Sequence, residues 1–398
     1  MLRRLAAALV VLALVLAGGW FVLRQVAQNR LQSGIAEFRA GLGPDGEFTY
    51  ATATAVPWRL GADFTDARVR RLGVVTTAAH VALSRVGSNR IGRATLRDVH
   101  LDGDGVDASA AGIDAADLSS DAGSAAPVQS EASKGEVWIG RLHAHGIELH
   151  ASANPAASMR IEAVALDQQP DGQGGFSQQA TFDGVGVGSD GGPVGAAGQV
   201  VEHARWSRDG RALADSDVTG LWFPPASALG QQLGQFGYQG TRGTAHTTLR
   251  YDGQAGTMLV EPITVRLDGI AVLALSLGLD RLPALEGRAI SAMLMSRASL
   301  TGLTLRYDDA GLAGHVLATM AQRSGVTPAQ FVQALTANLN GNLPNRNGVE
   351  AIHFLNDPRH FVVTLRPPTP LSAAGLAALQ GSAQDDILRA LGFGFKAD

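Results

Sequence analysis

A chain of 398 residues, 45% apolar and 17% charged, can bury a substantial core and falls outside the disordered classes. Its net charge of −4, with no basic stripe, excludes nucleic acid as a partner, because a phosphate backbone demands clustered Lys and Arg. The absence of cysteine rules out disulfide frameworks, thiolate-held zinc, iron–sulfur clusters and a thiol nucleophile.

Taken in chain order, the first element is an uncharged run from Leu5 to Leu23, preceded by Arg3 and Arg4 and closed by Arg24. Its length of about 19 residues matches the ~20 that a helix needs to cross a bilayer. Leu5, Leu12 and Leu16 supply its apolar body, and Trp20 and Phe21 fall where an interfacial aromatic belt belongs. The paired arginines predict a cytoplasmic N-terminus and an exported body. A cleaved signal peptide is the alternative, since Val15 and Ala17 satisfy the small-residue rule before Gly18. Residues 1–24 are therefore expected to be a cytoplasmic tip and anchor. Val26, Leu31, Ile35 and Phe38 then recur at near-helical spacing and predict a helical stalk over 25–41.

The body from 42 onward is punctuated by Asp-Gly pairs, among them Asp171-Gly172, Asp183-Gly184, Asp209-Gly210, Asp252-Gly253 and Asp268-Gly269. Asp tolerates positive φ and Gly adopts it freely, so such a series predicts the tight turns of an antiparallel meander. A first β region is expected over 42–121, and a linker or loop over 122–135, which is rich in Ala, Ser and Gly. The main β region follows over 136–309. Alternation is clearest late in that region. Leu259, Ile263, Val265 and Leu267 are read as one face, as are Leu273, Leu275, Leu277 and Leu279, followed by Leu303, Leu305 and Tyr307. An apolar sheet face of this kind must be covered by helices, by another sheet, or by lipid.

Residues 310–398 change character. Leu312, Val316 and Met320 step at helical spacing. Thr327, Pro328 and Gln330 then form a capping-box start, and Phe331, Leu335 and Leu339 line the helix that follows. Ser382 with Asp385 starts a last helix, and Phe361, Val363 and Leu365 make one short strand. The fold class is α+β, mostly an antiparallel β meander.

Chemistry-bearing motifs are sparse. His143 and His145 share one strand face and could hold a metal, but Arg141 lies beside them and no third ligand can be assigned. Asp102, Asp104 and Asp107 lack the ligand pattern and the closing Glu of a calcium loop. Gly184, Gly186 and Gly188 have no following Lys or helix to make a phosphate loop. No catalytic residue, metal or cofactor is assigned, and an enzyme is not expected.

The segment Gly46-Glu-Phe-Thr-Tyr50 leading to Val56-Pro-Trp-Arg-Leu60, and the run Ala298 to Leu312, resemble exported AsmA-like proteins of Gram-negative bacteria. They are closest to an uncharacterised alphaproteobacterial branch, domain-of-unknown-function family 2125. The resemblance implies a single-pass protein of the bacterial inner membrane whose body is periplasmic. It also implies a curved sheet presenting an apolar groove, with phospholipid as the ligand class. The candidate lipid contacts are Leu273, Leu275, Leu277 and Leu279. A non-catalytic scaffold for envelope partners, with the leucine face as plain core, is the alternative.

Overall fold

A computed structural model of the chain describes residues 25–71, 73–87, 90–103, 105–119, 138–190, 192–282, 298–342, 346–379 and 383–397. The expected membrane segment 1–24, the linker 122–135 and the Ser382 cap lie outside the described residues. The fold is mostly antiparallel β, with helices concentrated toward the C-terminus. Two compact units divide inside a single strand, after Asp167. The strands on either side of residues 120–137 pair with each other, Ser119 opposite Trp138.

The first unit opens with helix α1, residues 25–41. Short strands β1 (Glu47–Thr49) and β2 (Thr52–Val56) lie along one edge of β3 (Gly61–Arg71). Then β4 (Val74–Val86), β5 (Arg90–Gly103), β6 (Val106–Ser119), β7 (Trp138–Ala151) and β8 (Asn154–Pro170) add in sequence order. The helix expected as a stalk is docked on this sheet. Ile35, 4% exposed, packs with Leu31 against Ala62, Phe64 and Ala67. Gln28 stands in for a missing strand: its Nε2 donates to the Ala53 carbonyl at 3.1 Å, and Ala55 N–H donates to its Oε1 at 2.9 Å.

Strand pairing in this unit breaks along a line that crosses every long strand. Asp66 faces Ala79, Asp98 lies between Ala79 and Ala111, and Gly146 lies between Ala111 and Glu162; none of these positions pairs, although the register is unchanged on both sides. Asp66, Asp98 and Gly146 have φ of 50°, 51° and 62°. A residue in the left-handed region inverts the alternation of side chains beyond it. The inward set of β3 therefore reads Ala62, Phe64, then Ala67 and Val69, while that of β5 reads Ala94, Leu96, then Val99 and Leu101. A second line passes through Arg85, Gly92, Asp117 and Gly140. Arg85 and Asp117 have φ of 52° and 56° there. A Cβ on Gly140 would come within 2.9 Å of the Asp117 Cβ, so glycine is required opposite Asp117 on that side.

The second unit carries β9 (Phe176–Ser189), β10 (Gly192–Trp206), β11 (Arg211–Phe223), helix α2 (Ala228–Gly234), β12 (Thr241–Asp252), β13 (Thr257–Leu267), β14 (Ala271–Asp280) and β15 (Ser299–Asp309). Helices α3 (Leu312–Arg323), α4 (Pro328–Asn342) and α5 (Arg346–Asn356) follow. Then come β16 (His360–Leu365), β17 (Leu371–Ser372), α6 (Ala373–Ala378), α7 (Gln384–Leu391) and β18 (Phe393–Ala397). The capping box forms as read: Gln330 N–H donates to Thr327 Oγ1 at 3.3 Å, and Thr327 N–H to Gln330 Oε1 at 3.0 Å. Strand β18, absent from the expectation of one short strand, pairs with β16, and its other edge is met by α5. Phe395 N–H donates to Asn347 Oδ1 and Ala397 N–H to Glu350 Oε2.

Most Asp-Gly pairs make the expected turns, with Gly172, Gly210 and Gly269 at φ of 74°, 81° and 67°. Asp183-Gly184 does not: it lies inside β9, where Gly184 at φ 61° marks a break in pairing opposite Gly198.

Candidate functional site

The leucine strand proves heterogeneous. Leu279 is 7% exposed and belongs to a core with Tyr251, Met258 and Val260. Leu273 packs into a second core with Leu267, Ile270 and Tyr307, and Phe354 of α5 and Phe361 stand over that core. Leu277, half-buried, packs against the first core, and Leu275, between the two cores, is also half-buried. Leu275 lies in a cross-strand row with Ile263 (37% exposed), Leu305, Val363 and Phe395.

The expected face of β13 needs correction. Leu259 is 37% exposed while Met258 and Val260 are 6% and 9% exposed, so Leu259 lies opposite Val265 and Leu267. The cause is a bulge between Val260 and Ile263, where β13 spends one more residue than β12 or β14. Pro262, which lacks an N–H to give to a ladder, sits at that bulge.

A larger apolar surface lies in the first unit. Its rows run straight across the strands: Leu96, Ile113, Ala144 and Val164 form one, and Val99, Ala110, Ile147 and Ile161 another. Leu101, Ala108, Leu149 and Met159 form a third, and the inversion line runs between the first row and the other two. Helix α1 packs at the β1–β4 end with Val81 and Leu83. Among the described residues, this unit has no other α-helix. Over β5–β8, Leu96, Ile113, Leu142, Ile147, Leu149 and Leu166 remain half-buried, and Met159 is 38% exposed. The inversion lines hold these side chains on one face; strict alternation would send half of them to the other.

The opposite face of this sheet is polar. Thr95 Oγ1 donates to Asp114 at 2.6 Å, and the Arg97 and Arg93 guanidinium groups stand 3.4 and 3.5 Å from its carboxylate. Asp114 is held below the usual carboxylate range, first by the Thr95 hydrogen bond and then by Arg97 and Arg93. His143 is the cross-strand partner of Asp114, and its ring lies 6.2 Å from that of His145. Asp102 faces Asp107 across the β5–β6 pair. Among the described residues, no group of three or more His, Asp and Glu could hold a metal ion. Gly184, Gly186 and Gly188 all lie within strand β9.

An open depression of about 990 Å³ lies at the loop end of β9–β13, with Phe176, Trp206, Tyr251, Arg205, Arg211 and Arg250 in its lining. Phe176 stacks on Trp206 at 6.0 Å. Arg211 is held by Asp252 at 3.2 Å and Asp209 at 3.3 Å. The Asp252 carboxyl is held below its ordinary range, first by the Ala255 N–H and then by Arg211 and the Gln254 N–H. Near α3, Tyr307 and Asp309 serve structure: the Tyr307 hydroxyl donates to Asp309, whose carboxylate also accepts from Gly311 and Ala313 N–H at the helix start. Burial, and then that hydrogen bond, push the Tyr307 phenol well above its ordinary range.

Among the described residues, no helix is long and apolar enough to cross a membrane. Leu5, Leu12, Leu16, Trp20 and Phe21 lie outside them. A family model described only as an uncharacterized protein matches residues 264–398, from within β13 to the chain end. No curated protein matches the chain.

Proposed function

We propose that this is a membrane-tethered periplasmic protein that binds or carries lipid through an apolar sheet face, without catalysing a reaction. One observation carries the reading: over β5–β8, Leu96, Ile113, Ile147 and Leu149 stay half-buried around the buried Val99, Ala110 and Ile161, and among the described residues their unit supplies only α1 as a covering helix. A methylene removed from water contributes about 0.8 kcal/mol. Acyl chains laid on Leu96, Ile113, Ile147 and Leu149 would therefore recover free energy that exposure forfeits. The apolar run Leu5–Leu23 and the resemblance to AsmA-like exported proteins support the compartment. In this reading Leu275 is the member of the leucine strand available for lipid, since Leu277 packs against the first core. Leu273 and Leu279 serve as core.

Mass spectrometry of organic extracts from the purified full chain tests the proposal, with an unrelated exported protein as control. Stoichiometric phospholipid is the expected result. A folded sample with no lipid above control would leave the scaffold reading, in which the C-terminal helices α3–α5 and strand β18, inside the family-matched segment, are the surface to probe with partner pull-downs.

A further inference from the structure

One end of the first unit carries an unusual set of side chains. Trp58 and Leu60 are each 69% exposed, and Val86 is 43% exposed. They form one knob, because Val86 N–H donates to the Leu60 carbonyl at 2.8 Å. Leu60 adopts φ 49°, a conformation that an L side chain enters at a cost, and the Pro57–Arg59 turn holds it there. Arg85, exposed and also at positive φ, flanks the knob.

The direction of α1 says what this knob faces. Its Gln28 is level with Ala53 and Ala55, whereas Arg39 donates to the Phe48 carbonyl at 3.0 Å. Helix α1 thus runs away from the Trp58 end as the sequence increases. Gln25, the first described residue, stands ~4.5 Å beyond Gln28, toward the knob, at 1.5 Å per residue. The chain therefore enters α1 at the end where Trp58 and Leu60 project.

We infer that Trp58, Leu60 and Val86 form a docking rim that seats in the surface of the bilayer holding the N-terminal segment, with Arg85 at the headgroup level. An amphipathic indole, an exposed Leu and a flanking Arg are the chemistry of the lipid–water boundary. The inference rests on the anchor reading above and adds that the body is pinned at a fixed end instead of swinging on its tether.

The cysteine-free chain permits a clean test. Full-length Val86→Cys and Val106→Cys would each carry one environment-sensitive fluorophore and be reconstituted into phosphatidylcholine vesicles containing doxyl-labelled lipid. Val106 is also exposed, at 39%, and begins β6 at the other end of the same sheet. Quenching several-fold stronger at 86 than at 106 is expected. Adding Trp58→Ser with Leu60→Ser should abolish that difference without releasing the chain from vesicles. Equal quenching at 86 and 106 in a chain that floats with the vesicles would overturn the rim alone, as would a difference that survives the double substitution. A chain that does not float would overturn the rim and the anchor together.

Discussion

Asp98 occupies the middle of β5 with φ 51°, and the apolar face of that strand depends on it: Leu96 before it and Val99 after it point the same way. Because a non-Gly residue in this region costs roughly 1–2 kcal/mol, Asp98→Gly should stabilise the protein by up to about 1 kcal/mol. Asp98→Val should destabilise it by at least as much. Urea unfolding of both variants checks the sign; a neutral Val variant would contradict the inversion. Asp114 gives a pH-dependent test. Its folded pKa lies below the unfolded value, so its contribution is present above about pH 4 and disappears as pH falls through the folded value. Its side chain is 25% exposed, so solvent screening keeps the effect to about 1 kcal/mol or less. Asp114→Asn should be less stable than the parent at pH 7 and indistinguishable from it at the acid limit of the folded range. Residue-scale reading of the sequence succeeded at turns such as Asp209-Gly210 and failed at Leu259. A uniform period of two was carried across Pro262, whereas the bulge there reverses the faces. A comparable reversal at Asp66 in β3 leaves its mark in the sequence, where Ala62, Phe64, Ala67 and Val69 show the spacing two, three, two.

At the scale of elements, two strands, β2 and β18, have edge backbone groups taken up by helix side chains. Gln28 of α1 blocks β2, and Asn347 and Glu350 of α5 block β18. Unpaired edges invite association with other chains, so these amides and carboxylates are expected to keep the sheet from growing. Gln28→Leu should cost about 1–3 kcal/mol, the range for leaving buried backbone groups unsatisfied. It should also sharply lower the hydrogen-exchange protection of the Ala55 amide. Protection unchanged at Ala55 would mean that the bridge contributes nothing. The capping box at Thr327 was legible because its chemistry is local. Strands β10 and β11 were not resolved individually. Gly192, Gly195 and Gly198 dilute the apolar pattern of β10, and the inward positions Ala212, Ala214 and Ser216 of β11 are too small to stand out. Strand β18 was missed because its partner β16 lies 28 residues or more upstream, beyond the reach of any local pattern.

For the whole molecule, composition and turn chemistry sufficed for the class: a mostly antiparallel β fold with its helices toward the C-terminus. What they could not convey was the division after Asp167, which falls inside β8 and carries no compositional mark. Nor could they show that the leucine strand is largely core while the wider apolar surface lies on β5–β8. Each of those strands is modest alone, and only the shared inversion line brings Leu96, Ile113, Ile147 and Leu149 onto one side. The functional account stands on that side meeting lipid. The most direct test places a photoreactive amino acid at Leu149 or at Glu148, neighbours on opposite faces of β7, in the full-length protein within bacterial cells. Mass spectrometry of the purified protein after illumination should find phospholipid adducts at 149 and none at 148. Equal labelling of both positions, or adducts at 148 alone, would contradict the account.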